Sequence, residues 1–273
     1  MVEEHPAVRP AGNDAAHAPL LRAEAISRRF GGVQALRDVS FDVDAGEIVG
    51  LIGPNGSGKS TCVNLLSGTI APTGGRVLMS GAALGGARIE RAVGHGIVRT
   101  FQATQVFAEF TALDNVLVGC HILYRSGPAA AALRSAGSRR EEGELRAHAL
   151  DCLAFVGIAD RAQSVAGTMS AAEQRLLMIA VALAARPKVL LLDEPAAGMV
   201  AAERRALADV IRAMPARGTA VLLIEHHMGL IMQVCDRIVV LNFGQKIAEG
   251  TPAEIRANEA VVEAYLGTRH DDA

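Results

Sequence analysis

The sequence predicts an α/β fold: a mostly parallel sheet flanked by helices, an antiparallel β appendage, and a helical subdomain inserted into the chain. Three observations carry that expectation. Strand and helix patterns alternate before residue 103 and again after 185, as they do where a parallel sheet is built from crossover units. The run Gly53-Pro54-Asn55-Gly56-Ser57-Gly58-Lys59-Ser60 satisfies G-x-x-x-x-G-K-[ST] between a strand pattern and a helix pattern. Residues 103–185 are dominated by helical spacing instead.

Taken in order, Leu21 to Phe30 and Arg37 to Val43 read as two strands joined through Gly31-Gly32. Glu47 to Ile52 is a short, mostly apolar strand feeding the glycine-rich loop, and Thr61 to Ser67 continues as a helix with Val63 and Leu66 at helical spacing. Pro72-Thr73-Gly74-Gly75 then turns the chain into Arg76-Val77-Leu78-Met79, and Ser80-Gly81 turns it again, which predicts the antiparallel appendage. Ile97 to Phe101 is the next strand. An Ala-, Gly- and Ser-rich stretch at Ser126 to Ser138 precedes a charged helix start at Arg139 to Glu144. Strand patterning resumes at Lys188 to Leu192, followed by a helix over Ala201 to Met214, a strand over Ala220 to Ile224, and a hairpin over Arg237 to Ala248 turning at Asn242-Phe243-Gly244. Thr251-Pro252-Ala253-Glu254 combines a capping Thr, Pro at the first helical position and a returning Glu, so a terminal helix through Leu266 is expected. The division is a polar tail at 1–19, one folded domain at 20–268 with its helical subdomain at about 103–185, and a short tail at 269–273.

Composition narrows the function classes. Half of the 273 residues are apolar, enough for a sizeable core. A net charge of −2 gives no electrostatic case for nucleic acid, which wants a basic face. The longest apolar stretch, Leu176 to Ala185, falls well short of the ~20 residues that span a bilayer. Residues 1–19 lack a basic segment followed by an apolar one, so no secretory signal is expected and the protein should stay in the cytosol. Cys62, Cys120, Cys152 and Cys235 are scattered without a C-x-x-C pair, which predicts buried, reduced thiols.

The loop is a phosphate-binding loop. Gly53, Gly56 and Gly58 let the backbone turn tightly and bring successive N–H groups onto a polyphosphate, and the following helix aims its positive end at the same anion. Pro54, Asn55 and Ser57 complete the cradle; Lys59 would reach the β- and γ-phosphates, Ser60 would ligate Mg²⁺, and Thr61 would help hold the α-phosphate. Val189 to Leu192 ends in Asp193-Glu194, placing two carboxylates at the carboxyl edge of the sheet, where open α/β folds bind ligands. Asp193 would hold Mg²⁺ directly or through water, and Glu194 would orient or deprotonate the water that attacks the γ-phosphate. A chance glycine-rich turn and a solvated acidic turn are the blander alternatives, but each motif occurs in the setting its chemistry requires. No Asn-Lys-x-Asp guanine reader is present, which argues against a GTPase.

From about Leu20 to Leu266 these residues resemble the ATP-binding subunits of ABC transporters. The likeness extends to the subunits that power uptake of branched-chain and other hydrophobic amino acids, on Arg29-Phe30-Gly31-Gly32, Val98-Arg99-Thr100-Phe101-Gln102, Glu194-Pro195-Ala196-Ala197-Gly198-Met199, Gly250-Thr251-Pro252 and Ala264-Tyr265-Leu266-Gly267. The resemblance implies a P-loop NTPase (RecA-like) core, ATP and Mg²⁺ as ligands, and ATP hydrolysis. It also implies that Phe30 stacks on adenine, that Gln102 senses Mg²⁺ and the attacking water, and that His226, rather than adjacent His227, contacts the γ-phosphate. Taken alone, these three read equally as a core aromatic, a surface amide and a structural histidine. The implied partners are membrane-spanning permease subunits, a second ATP-binding subunit and, indirectly, an extracytoplasmic solute-binding protein, with the chain peripheral on the cytoplasmic face of the inner membrane. Urea importers and lipopolysaccharide-type exporters carry related ATPases, and a weakly catalytic nucleotide-binding regulator is a further alternative. Soluble ABC ATPases of repair or translation usually carry coiled coils or two ATPase halves, and this chain shows neither.

The chain departs from the family at two places. Its signature loop normally reads Leu-Ser-Gly-Gly-Gln or a variant keeping the second glycine, and here Met169-Ser170-Ala171-Ala172-Glu173-Gln174 puts Ala172 at that position. In the family this loop opens a helix that binds the γ-phosphate held by the opposite subunit, so Ser170 keeps a hydroxyl while the Ala172 methyl should weaken close approach. Ser170-x-x-Glu173 also satisfies a helix capping box. Val200 stands where the importers usually carry Asn or Asp. Both departures fall in elements that serve the partner's nucleotide, so the chain is expected to work best beside a non-identical ATPase subunit. Val106 to Val116 reads equally as permease contact and as core.

Overall fold

The computed structural model describes residues 18–100, 106–126 and 135–266. Gln102, Phe101, the tail at 269–273, and most of the expected N-terminal tail and of the Ser126 to Ser138 stretch lie outside the described residues.

The first two strands, β1 (Leu21–Phe30) and β2 (Val33–Val43), form an antiparallel hairpin closing at Phe30↔Val33. After β3 (Ile48–Ile52) and helix α1 (Lys59–Leu66), strands β4 (Gly74–Met79) and β5 (Ala82–Ala83) join that hairpin in a four-stranded sheet ordered β2-β1-β4-β5. This is the expected antiparallel appendage. The short helix α2 (Ile89–Gly94) leads to β6 (Ile97–Arg99). The helical subdomain contributes α3 (Ala112–Gly119), α4 (Ala136–Phe155) and α5 (Ala171–Ala184). The chain then runs through β7 (Val189–Asp193), α6 (Ala201–Ala213), β8 (Ala220–Ile224), α7 (Met228–Val234), the hairpin of β9 (Arg237–Asn242) and β10 (Gln245–Gly250), α8 (Pro252–Ala257) and α9 (Glu259–Leu266). The second sheet is six-stranded, ordered β10-β9-β3-β8-β7-β6, and parallel except for the β9–β10 hairpin.

Burial explains why β3, β7 and β8 are continuous apolar runs. Every residue in all three is buried, because both faces of a parallel sheet are covered. Successive side chains alternate between the faces. Ile48, Ile52, Leu190, Leu192, Val221 and Leu223 pack with the helical subdomain, whereas Val49, Leu51, Val189, Leu191, Ala220 and Leu222 pack with α1 and the antiparallel sheet. The core is therefore two layers, one on each side of the parallel sheet. In the helical subdomain, Gly119 lets α3 lie against α5: a Cβ there would sit 2.3 Å from the Val181 carbonyl oxygen.

One local expectation is corrected and two details are added. The terminal helix is split at Asn258, whose Oδ1 accepts from the Val261 N–H and starts α9 separately. The sequence pattern does not signal helices α2 and α7. The Val106 to Val116 segment divides: Ala112, Leu113 and Val116 are core, while Phe107 and Phe110 are exposed and stacked on each other at 5.3 Å. All four cysteines are free and buried, and burial pushes Cys62, Cys152 and Cys235 up to about 12. Among the described residues no helix is long and apolar enough to cross a membrane.

Candidate functional site

Buried β3 delivers the glycine-rich loop to the carboxyl edge of the parallel sheet, and packing as well as turn geometry demands its glycines. A Cβ on Gly53 would lie 2.1 Å from the Leu241 carbonyl oxygen of β9, and one on Gly58 would lie 2.7 Å from Leu36 and 2.8 Å from the Ala35 oxygen. Gly56 faces open space, and its φ of 76° alone calls for glycine. Gly58 is the N-cap of α1 and offers no side chain, so the first N–H groups of that helix are left for an external acceptor. The Lys59 ammonium folds back to donate to the carbonyls of Gly53 (2.7 Å) and Pro54 (2.9 Å). Burial lowers its pKa, opposed by the carboxylates of Glu194 and Asp193. The Ser57 hydroxyl is buried and has no hydrogen-bond partner among the described residues. A cationic, half-desolvated lysine held on two carbonyls is matched to an incoming polyanion.

The loop opens onto a cavity of about 480 Å³, walled by Asn55, Lys59, Ser60 and Thr61 on one side, Glu194 on another, and Val33 and Phe243 at its mouth. A larger cavity of about 750 Å³, beside α2 and β4, contains none of the motif residues. The chemistry thus belongs to the smaller one. Phe30 is not part of its wall; the ring is half exposed, and the Arg28 guanidinium lies 4.7 Å over its centroid.

Strands β7 and β8 bring the other polar groups to the same edge. Asp193, the last residue of β7, accepts from Arg99 Nη2 at 2.7 Å, and Arg99 Nη1 donates to Asn64 of α1 at 2.5 Å. Arg99 therefore ties the acid to the helix that follows the phosphate loop. Glu194 turns the chain in the left-handed region at φ 49°, where a non-glycine residue is uncommon, and its N–H donates to the Ile224 carbonyl of β8. Its carbonyl accepts from Arg175 of α5 at 3.3 Å, a direct tie to the helical subdomain. Fully buried Glu225 accepts from the Ala196 N–H at 2.7 Å, fastening the turn after β7 to the end of β8. That turn and strand end bring His226 Nδ1 to 4.0 Å from a Glu194 oxygen. Arg99 and Glu225 are structural participants that motif reading did not assign. The Ser60 hydroxyl and Asp193 carboxylate are hard oxygen donors of the kind Mg²⁺ takes.

The signature segment lies apart from this cavity. Ser170 caps α5 through a complete capping box, accepting from the Glu173 N–H at 3.2 Å while Glu173 accepts from the Ser170 N–H at 2.8 Å. That backbone N–H holds the Glu173 carboxyl below its ordinary range, and Arg161 pairs with it at 2.8 Å. The Ala172 side chain is half-buried against the core. Val200 is the N-cap of α6 and 61% exposed; Glu203 accepts from its N–H at 2.9 Å, but a valine side chain has nothing to return.

The family model "ABC transporter" matches residues 36–197, and "Branched-chain amino acid ATP-binding cassette transporter" matches 245–271. The high-affinity branched-chain amino acid transport ATP-binding protein BraF of Pseudomonas aeruginosa is 39% identical over 250 residues, covering 91% of this chain and 98% of the relative. LivG of Escherichia coli K12, described in the same words, gives the same figures. Among solved structures, the ADP conformation of an ATP-binding cassette of an ABC transporter matches with a TM-score of 0.80 at 32% identity, covering 92% of this chain and 99% of its own. A nucleotide-free cassette matches with a TM-score of 0.77 at 32% identity, covering 91% and 99%. The matched span of 36–197 takes in the phosphate loop, both carboxylates and the helical subdomain, and on that ground the chain belongs to the ABC transporter family.

Proposed function

We propose that this chain hydrolyses MgATP to power uptake of branched-chain or other hydrophobic amino acids, working on the cytoplasmic face of the membrane beneath membrane-spanning partner subunits. The observation that carries the chemistry is convergence at one sheet edge. The phosphate loop comes from β3, His226 follows the adjacent β8, and Asp193 ends β7 beside it with Glu194 next in the chain.

In that arrangement the loop N–H groups and the α1 N-terminus grip the β-phosphate. Lys59 leaves the Gly53 and Pro54 carbonyls to donate to the β- and γ-oxygens, and the anion restores the charge stabilisation that burial took from it. Ser60 and Asp193 would hold Mg²⁺, which would supply charge neutralisation for the phosphate oxygens. Glu194, at the cavity wall, orients the attacking water and accepts its proton; His226 donates to the γ-phosphate. Gln102 would report that state to the permease.

The second nucleotide site needs a second subunit. The orphan N–H groups of Ala171 and Ala172 at the start of α5 would meet the γ-phosphate held by a partner, and pairing with Arg161 tempers the nearby Glu173 charge. With Ala172 and Val200 both in partner-serving segments, a non-identical ATPase paralogue is the favoured partner.

Glu194→Gln tests the reading. Removing a general base should slow hydrolysis about 10²- to 10⁴-fold while nucleotide affinity is kept. Unchanged turnover in that variant, measured with the permease complex in liposomes, would remove Glu194 from the chemistry; absent amino-acid uptake by the wild-type complex would remove the transport reading.

A further inference from the structure

We infer that Glu225, His226 and His227 form a cation site separate from the Mg²⁺ donors, suited to a divalent transition ion of the zinc class, whose occupancy arrests turnover by holding His226. The inhibitory half of this inference rests on the function proposed above; the binding half does not.

The three residues follow β8 directly and precede α7. Among the described residues they are the group whose His and carboxylate ligand atoms converge, all within 4.8 Å of one another. Glu225 Oε2 lies 3.5 Å from His227 Nδ1 and 3.9 Å from His226 Nδ1. Ligands at about 2.0–2.1 Å on a tetrahedral ion stand about 3.3–3.4 Å apart, so the His227 edge is already near that of a filled site and the His226 edge, at 3.9 Å, has about half an ångström to close. The gap between the imidazoles has to close as well. The rings face one another at 4.5 Å between centroids, tilted by 44°.

Two further features favour an ion over a simple cluster. His227 Nδ1 is shielded from solvent and has no hydrogen-bond partner among the described residues, an unusual state for a buried ring nitrogen. Glu225 is fixed by the Ala196 N–H on Oε1 and by long bonds from the His226 and His227 backbone N–H groups (3.2 and 3.4 Å) on Oε2, which hold Oε2 at the two imidazoles with a lone pair still to offer. Two imidazoles and one carboxylate with an open fourth position is a donor set that zinc takes and that Mg²⁺, which demands oxygen, does not. His226 is 58% exposed, so an ion can enter from solvent. Once ligated through Nδ1, the His226 ring is pinned against Glu225 and cannot turn to aim its remaining Nε2–H at phosphate, and the cation stands beside Glu194, 4.0 Å from the same ring.

The test uses the full chain without nucleotide. Co²⁺ is titrated and followed by its visible d–d absorption, and Zn²⁺ is titrated by calorimetry, in wild type, His227→Ala and His227→Gln. Loss of an outer-shell partner alone costs about 10- to 100-fold in metal affinity, so loss of a ligand should cost at least about tenfold in both variants. One ion per chain is expected in wild type. In the ATPase assay at saturating Mg²⁺, zinc should inhibit wild type and spare His227→Ala, whose basal rate should match wild type. Equal zinc affinity in all three proteins, or a near-ultraviolet thiolate band showing cysteine ligation, overturns the site. Zinc binding that depends on His227 but leaves the ATPase rate untouched overturns the inhibition. A chain that binds Co²⁺ through His227 yet hydrolyses no ATP in any assembly upholds the site and defeats the ATPase reading instead.

Discussion

Replacing Arg99 by Met separates what holds the candidate site together from what acts in it. Arg99 and Asp193 side chains are only 12% and 10% exposed, so solvent screens the pair little. Breaking a buried pair by removing one partner leaves an uncompensated charge and costs about 3–5 kcal/mol. For a domain of this size each kcal/mol moves the midpoint by about 2–4 °C, so Arg99→Met should lower it by about 6–20 °C. The loss should be largest without divalent ions. Asp193 accepts from Arg99 through Oδ2, one of the oxygens a bound cation would share, so Mg²⁺ should stabilise Arg99→Met more than wild type. The assay is thermal unfolding of wild type, Arg99→Met, Asp193→Asn and the double variant, each with EDTA and with Mg²⁺. If the charges are coupled, Arg99→Met should cost at least about 1 kcal/mol less on the Asp193→Asn background, as neighbouring paired groups do. Equal cost on both backgrounds would mean that Arg99 acts through its bond to Asn64 or through packing, and the electrostatic argument fails.

Two smaller perturbations address the unusual helix starts. Val200→Ser supplies α6 with the missing cap acceptor opposite the bond already made by Glu203, and should raise unfolding stability by about 1 kcal/mol in a denaturant titration; no gain would mean that the α6 N-terminus is satisfied in some other way. Ala172→Gly removes a methyl packed on the core and loosens the first turn of α5, together about 1–2 kcal/mol of stability. The same change should raise hydrolysis at the partner's site in the assembled complex, measured as turnover with this chain's own site silenced by Glu194→Gln. Unaltered turnover there would assign Ala172 to packing alone.

The parts of the fold legible in the sequence are those where burial leaves no choice. The apolar pattern marks β8 to its ends and β3 and β7 to within a residue, because a strand covered on both faces must be apolar throughout and the polar residues mark where it stops. Elements held by pairing were less legible. β2 begins at Val33, four residues before the patterned Arg37, because its first residues are sustained by the register with β1 while Val33 itself is exposed. α7 was hidden because an apolar seven-residue run has no period to read, and α2 because six residues bury only Ala92. The phosphate loop was legible because its glycines, lysine and serine are contiguous. Arg99 and Glu225 were not: their partners lie 94 and 29 positions away, and only the β6–β7 and β7–β8 pairings bring them into reach.

The same contrast bears on the two departures from the family pattern. Ala172 has a local reason to be alanine, since its methyl rests on the core and a glycine there would weaken the turn. Val200 has none within the chain: it is exposed, apolar, and occupies a cap position where a hydroxyl or amide would be worth about 1 kcal/mol. A residue that breaks a local rule without compensation in its own subunit is the kind expected at a surface another molecule covers. In the proposed two-subunit assembly that molecule is the second ATPase subunit, whose contact with Val200 would bury the isopropyl group. The stability gained by Val200→Ser in the isolated chain should then be offset by weaker association in the complex. Gain in both would place Val200 outside the interface and leave Ala172 as the sole ground for a non-identical partner.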